Sequence, residues 1–345
     1  MEQVLLTGAN GFLGRAILRR LLREPVRVRT CVRTPAEEGP LRATLAEEFL
    51  PTALAKLEIR ALELTQRFAV PSLLAGCDSV IHAAGKVMVD RRGPSALYRD
   101  QVETAAYVLE AALKQGVSKL VLVTPALSLG ASEKPTAVDA SVEWTLHNLP
   151  SPYIQASRLR LLEGLRVGSR GLKLVMACPT FCVGAEANAG LAGSLRTLLL
   201  KPPPLPLVGG LNVVAVQDAA EGVLRCWRTG SPGTTYLLGG HDQSFEQLSR
   251  TLRLLQTEQV GRRRRQIWAE QADFRPWAQL GTRGLQALAS WREQLPLGED
   301  SPSAPWIWLG RWWWYASGPA ERALQSPVMP LDQTLRKWLG AEHGE

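Results

Sequence analysis

The sequence predicts an α/β fold, a doubly wound parallel sheet joined to a smaller, mostly helical C-terminal lobe. Three observations carry this. Strand-like and helix-like runs alternate through the first half of the 345 residues, the pattern of a parallel sheet with helices on both faces. The opening run Val4-Leu5-Leu6-Thr7-Gly8-Ala9-Asn10-Gly11-Phe12-Leu13-Gly14 is a hydrophobic strand passing through a glycine turn into a helix. After Pro179 the composition shifts, with Pro202-Pro203-Pro204-Leu205-Pro206 as a rigid break and a tryptophan-rich remainder.

The elements follow in order. A helix from Phe12 to Arg23 precedes a strand from Val26 to Arg33. Next come a helical stretch from Leu41 to Leu54, a strand from Leu57 to Leu64 and a short helix from Pro71 to Ala75. The turn Gly76-Cys77-Asp78 leads into a strand from Ser79 to Ala84, and a long helix from Leu97 to Lys114 stops at Gly116, a suitable C′ residue. A strand from Lys119 to Thr124, a helix from Tyr153 to Val167 and a strand from Leu172 to Cys178 complete the first half. Beyond the proline break stand a short strand from Asn212 to Val216, a helix from Asp218 to Arg228 and a late strand, Tyr236-Leu237-Leu238. Residues 1–178 are expected to form a dinucleotide-binding domain, with return segments near 212–228, and residues 179–345 a substrate-binding lobe.

The glycine turn has a mechanical reading. Gly8 allows the tight turn off the strand, Gly11 lets backbone N–H groups approach a pyrophosphate, and Gly14 lets the helix pack closely on the sheet. The helix then aims its N-terminal dipole and free N–H groups at phosphate oxygens. Strand before and helix after are the context that distinguishes a Rossmann cradle from a chance glycine pattern. Thr7, Asn10, Phe12 and Leu13 complete the candidate cradle. About 20 residues on, an acidic residue would bind a ribose 2′-hydroxyl and an arginine a 2′-phosphate. Arg33 stands there, with no Asp or Glu before Glu37, so NADP(H) is expected over NAD(H). The alternative is that Arg33 is one of many surface arginines.

Composition excludes some classes. At 46% hydrophobic residues the chain buries a large core. No run of 18 apolar residues exists, so no membrane-spanning helix is expected. The first strand starts almost at once, so no leader peptide is expected, and the location is read as cytoplasmic. Cys31, Cys77, Cys178, Cys182 and Cys226 show neither a disulfide framework nor metal-ligand spacing, so no metal is expected. Net charge is +8, with Arg262-Arg263-Arg264-Arg265 followed by Ile267-Trp268. That run is read as a solvated surface segment, with contact to an anionic membrane surface as the lesser reading. No nucleic-acid-binding signature accompanies it. Of eleven tryptophans, five crowd into Trp306–Trp314, a cluster suited to a pocket or lobe interface.

These residues resemble the extended short-chain dehydrogenase/reductase (NAD-dependent epimerase/dehydratase) family, on its dihydroflavonol-reductase-like or hopanoid-associated epimerase-like branch. Residues 7–14 are similar to its TGxxGxxG, and Glu63-Leu64 stands where the family has an Asp-Leu that contacts adenine. Gly76 to Gly85 is similar to its GCDxVxHxA segment, whose small residues, here Ala83, Ala84 and Gly85, lie against the cofactor. Leu109-Glu110-Ala111-Ala112, Gly116 to Val121 and Asp218-Ala219-Ala220-Glu221-Gly222 match further segments, and Pro179 falls at the cofactor-side strand exit. The resemblance covers most of the chain.

It also implies a catalytic Ser or Thr and a Tyr-x-x-x-Lys on the next helix. In that arrangement the tyrosine exchanges a proton with the substrate oxygen, and the lysine lowers the tyrosine pKa. Tyr153 stands in place, but the lysine position is Ser157. Arg158 is displaced by about 100° around the helix. The hydroxyl position falls on Pro125, leaving Thr124 or Ser128 to supply that group, and Gln101 occupies the region of the family's active-site Asn. His82 reads as a strand-end residue, and His147 lies in the loop before Tyr153.

Two functions follow. One is an NADP-dependent oxidoreductase or epimerase acting on a small or apolar carbonyl or alcohol substrate. The other is a catalytically inactive NADP(H)-binding member, a sensor, scaffold or assembly factor with a protein partner. A homodimer through the helices near 97–114 and 153–167 is compatible with either.

Overall fold

The computed structural model describes residues 1–87, 93–140, 144–147, 149, 151–187, 190–202, 207–260 and 308–340. The arginine run 262–265, Trp268, Trp306 and most of the proline break lie outside the described residues.

Seven parallel strands form the main sheet. They are β1 (Gln3–Thr7), β2 (Arg27–Val32), β3 (Leu57–Ala61), β4 (Ser79–His82), β5 (Lys119–Val123), β6 (Leu174–Pro179) and β9 (Thr235–Leu238), ordered β3-β2-β1-β4-β5-β6-β9. The chain order reverses at β1, so the crevice between the C-terminal ends of β1 and β4 is the switch point where ligands of such sheets sit.

Alternation along the strands sends side chains to two cores. Leu5, Val80, Leu120, Leu122 and Met176 face α4 (Val70–Leu74), α6 (Thr104–Lys114) and α7 (Pro152–Gly168). Val4, Leu6, Ile81, Val121 and Val175 face α1 (Phe12–Leu21) and α9 (Val216–Thr229). Because both faces are covered, the central strands are continuously apolar rather than alternating.

Two local departures from the sequence expectations have plain causes. The stretch 41–54 divides into α2 (Glu38–Ala46) and α3 (Pro51–Leu54), since Pro51 lacks an N–H and serves as a helix start. The long helix begins earlier, as α5 (Pro94–Tyr98), and passes through a π turn at Arg99–Glu103 before α6. Such turns accommodate one extra residue.

The second lobe contains more strand than its periodicity suggests. The strand β8 (Gly210–Ala215) pairs antiparallel with β10 (His241–Ser244) and parallel with β7 (Phe181–Val183) and β11 (Trp312–Trp313). Thus 210–215 belongs to the second sheet, whereas α9 and β9 return to the first. Helices α8 (Gly190–Leu200), α10 (Phe245–Val260), α11 (Gly318–Leu324) and α12 (Leu331–Trp338) complete the lobe. Among the described residues no helix is long and apolar enough to cross a membrane.

Candidate active site

A cleft of about 480 Å³ runs between the lobes. Its first wall is the glycine turn. Gly8 has φ +81°, and a Cβ there would lie 2.6 Å from Ala84 N. A Cβ on Gly14 would lie 1.8 Å from Gly8 O. The close approach of β1, β4 and α1 therefore tolerates no side chain at these points. Gly11 caps α1 without a capping side chain, leaving first-turn N–H groups for a ligand. Gly11, Phe12, Leu13, Ala83, Ala84, Gly85 and Pro179 line the cleft with them. This bare, donor-rich cradle fits the pyrophosphate of a dinucleotide.

Thr7 stands behind the wall. Its Oγ1 accepts from Ala84 N at 3.3 Å and lies 2.7 Å from Nδ1 of the buried His82. Burial, reinforced by the Arg160 charge, holds the His82 imidazole well below the ordinary 6.5. The unfolded chain then binds the extra proton first, so this contribution to stability is complete above 6.5 and is lost as pH falls below it. Melting temperatures measured across that range should decline toward acid, and His82→Asn should flatten the decline. An equal decline in the variant would assign it to other groups.

The remaining cofactor candidates are not among the residues that line the cleft: Asn10 lies in the turn after β1, Arg33 after β2, and Glu63 and Leu64 after β3. Asn10 Nδ2 donates to Glu37 at 3.0 Å, and Arg33 N donates to the same carboxylate oxygen at 3.4 Å. The Arg33 guanidinium is half-exposed, 3.9 Å from Glu63. Leu64 packs in the core.

Tyr153, on the first turn of α7, lines the cleft. Ser151 caps that helix, accepting from Ile154 N. Burial pushes the Tyr153 pKa up, while the Arg160 charge and a hydrogen bond with Ser157 act to lower it. The phenol is therefore protonated at neutral pH. Pro125 and Ala126 also line the cleft. Thr124 and Ser128 do not. Both are fully buried, and their hydroxyl oxygens have no hydrogen-bond partner. Arg158 points elsewhere, donating to Ser128 O at 3.3 Å with its guanidinium 5.1 Å from the Trp144 ring centre. His147 is exposed.

The far end is aromatic. Phe181, Trp308, Trp313 and Tyr315 line it with Leu191 and Leu211. Trp308 and Trp313 meet edge-on at 4.8 Å between ring centres. Thr180 and Asn212 line the cleft as well, hydrogen bonded to each other at 2.7 Å. Sequence reasoning foresaw a pocket for the tryptophan cluster but not which rings would enter it. It also missed Arg160, Thr180 and Asn212. Only Arg160 left a legible trace, since seven residues from Tyr153 is two helical turns on one face. All five cysteines are unpaired, and no metal-ligating cluster exists among the described residues.

Comparison with known proteins agrees with this geometry. The family model described as NAD dependent epimerase/dehydratase family matches residues 4–239. A putative dihydroflavonol 4-reductase of Synechocystis sp. is 25% identical over 246 residues, covering 70% of this chain and 68% of its own. The crystal structure of gox2253 superposes with a TM-score of 0.75 at 20% identity, over 99% of this chain and 98% of that one. A UDP-glucuronic acid 4-epimerase from Bacillus cereus, in complex with UDP-glucuronic acid and NAD, superposes with a TM-score of 0.66 at 16% identity, over 98% of each chain. The strand–glycine-turn–helix cradle, the crevice at the β1–β4 switch point and the matched span of residues 4–239 agree: the chain belongs to the NAD-dependent epimerase/dehydratase family, whose members bind a nicotinamide cofactor on a Rossmann-like fold.

Proposed function

We propose that this protein is an NADP(H)-dependent oxidoreductase that reduces an apolar carbonyl compound or oxidises the corresponding alcohol. The observation that carries this reading is that one cleft is lined by the glycine cradle, Tyr153 and the Trp308–Trp313 pair together. When bound, the nicotinamide supplies or accepts the hydride. The glycine turn and the α1 N-terminus hold phosphate, and Arg33 stands at the position for a 2′-phosphate. Tyr153 Oη donates its proton to the oxygen of the reduced substrate. A phenol kept protonated by burial suits that direction, because an alkoxide is a much stronger base than a phenolate. The aromatic end excludes water and accommodates a ring or isoprenoid body. The reductase names of relatives such as the Synechocystis protein support the same chemistry. Five unpaired thiols suit a reducing, cytoplasmic setting.

A second reading is favoured by Pro125 and Ala126, which line the cleft without a hydroxyl at the position where the family resemblance implies one. On that reading the chain binds NADP(H) and acts through a protein partner without turnover.

Titration with NADPH and NADH, followed by a screen of apolar ketones and aldehydes, separates the two. Binding with turnover supports the reductase, and binding without turnover on any carbonyl supports the second reading. Failure to bind either nucleotide overturns both. Arg33→Ala should weaken NADPH by roughly tenfold or more, the size of one charge-assisted contact, and leave NADH nearly unchanged. A parallel loss of both would show that Arg33 does not read the phosphate.

A further inference from the structure

We propose that Arg160 makes the cleft select the reduced, uncharged nicotinamide over the oxidised, cationic one, and so biases the site toward reduction. This inference rests on the cofactor reading above and adds a direction to it.

Arg160 lies on α7 two turns beyond Tyr153 and is 1% exposed, yet it lines the same cleft. Its Nη1 donates to Ala84 O at 2.7 Å and to Gln101 O at 3.2 Å, and its Nη2 donates to His82 O at 3.2 Å. These acceptors are neutral. Its Nε–H is buried without a partner. The charge that most favours its protonated form is the phenolate state of Tyr153, and burial opposes that form, lowering the pKa to about 10. The guanidinium is therefore charged at neutral pH, and its hydrogen-bond partners among the described residues are carbonyl oxygens.

A staple between the end of β4 and the π turn explains three hydrogen bonds. It explains neither a full charge nor a spare donor, since neutral side chains can bond carbonyls without the desolvation cost of an ion. The exposed face of this arrangement is Gly85. A Cβ there would lie 3.1 Å from Arg160 Nη1 and 2.8 Å from Gln101 Oε1, so no side chain at position 85 stands between the guanidinium and the cleft that Arg160 and Gln101 both line. Whatever ring reacts beside Tyr153 sits in this field. An oxidised nicotinamide carries a positive charge and is repelled there, whereas the reduced ring is neutral. In a water-poor cleft one such charge pair changes a binding ratio by roughly tenfold or more.

The test is the ratio of NADP⁺ to NADPH dissociation constants, read by tryptophan quenching and by tryptophan-to-nicotinamide energy transfer. Lost packing weakens both forms alike, so the ratio reports charge and not folding. Wild type should prefer NADPH, Arg160→Gln should narrow the preference by roughly tenfold, and Arg160→Lys should retain it. Gln101→Glu supplies an independent variant that leaves Arg160 in place and sets a carboxylate beside it; it should also narrow the ratio. If Arg160→Gln does not fold, an unchanged ratio in Gln101→Glu still overturns the proposal, and a retained ratio in Arg160→Lys supports it. An unchanged ratio in either folded variant, or Arg160→Lys behaving like Arg160→Gln, overturns the role of Arg160 while leaving the cofactor reading intact. Failure of the wild type to bind either form overturns the cofactor reading itself, and this inference with it.

Discussion

Tyr153→Phe should lower turnover by about 10²-fold or more, the usual contribution of a positioned general acid, with NADPH affinity nearly unchanged. On the proposed mechanism the Tyr153 phenol is the proton donor, and Pro125 and Ala126, which line the same cleft, offer no hydroxyl in its place. The ring is retained in phenylalanine, and the helix start is held by Ser151 and Pro152 rather than by the phenol. The measurement is kcat and KM on whichever carbonyl the screen identifies, with melting temperature as a control. Equal activity in variant and wild type would remove Tyr153 from the chemistry. A fall in affinity and melting temperature together would assign it a packing role instead.

Gly14→Ala should produce the largest loss of stability for the smallest chemical change. The added carbon would stand 1.8 Å from Gly8 O and 2.7 Å from Gly8 C, backbone atoms that cannot swing aside. Helix α1 would have to lift from the sheet, opening the packing of Ile17, Leu18 and Leu21, all fully buried. Overpacking of this kind costs about 1–3 kcal/mol and occasionally more. NADPH binding should fail with it, because α1 carries the donors of the cradle. Gly39→Ala is the control. That glycine lies in α2 with nothing within 4 Å of the added carbon, so the substitution should be neutral or stabilising by up to about 1 kcal/mol. Thermal unfolding of the pair checks the prediction. A Gly14→Ala protein as stable as wild type would mean that the turn relaxes freely.

Much of the fold was legible because it follows local rules. The β1 run, the glycine spacing and Gly76 to Gly85 are contiguous, and each carries its own geometric reason. Residues 152–168 and 216–229 show helical periodicity within about two residues of their observed ends. The π turn at Arg99–Glu103 was not legible, since its extra residue leaves the composition helical throughout. The second sheet was also hidden. Its strands are two to six residues long, and β11, Trp312–Trp313, is recruited by β8 from about 100 residues away. Periodicity cannot register a two-residue strand.

The site divides in the same way. Sequence alone determined the cradle, the tyrosine and the absence of a lysine at position 157, because these depend on residue type at fixed spacing along one element. Tertiary structure decided which of the two arginines that follow reaches the cleft. Arg158 is nearer in sequence, but the helix turns it toward Trp144, whereas Arg160 lines the same cleft as Tyr153, beside Gly85. It likewise decided that Thr124 and Ser128 stay behind the wall while Trp308 and Trp313 cross from the C-terminal lobe to close it. A side chain's direction is set by the element that carries it, but what it faces is set by the packing of distant elements, which no local pattern encodes.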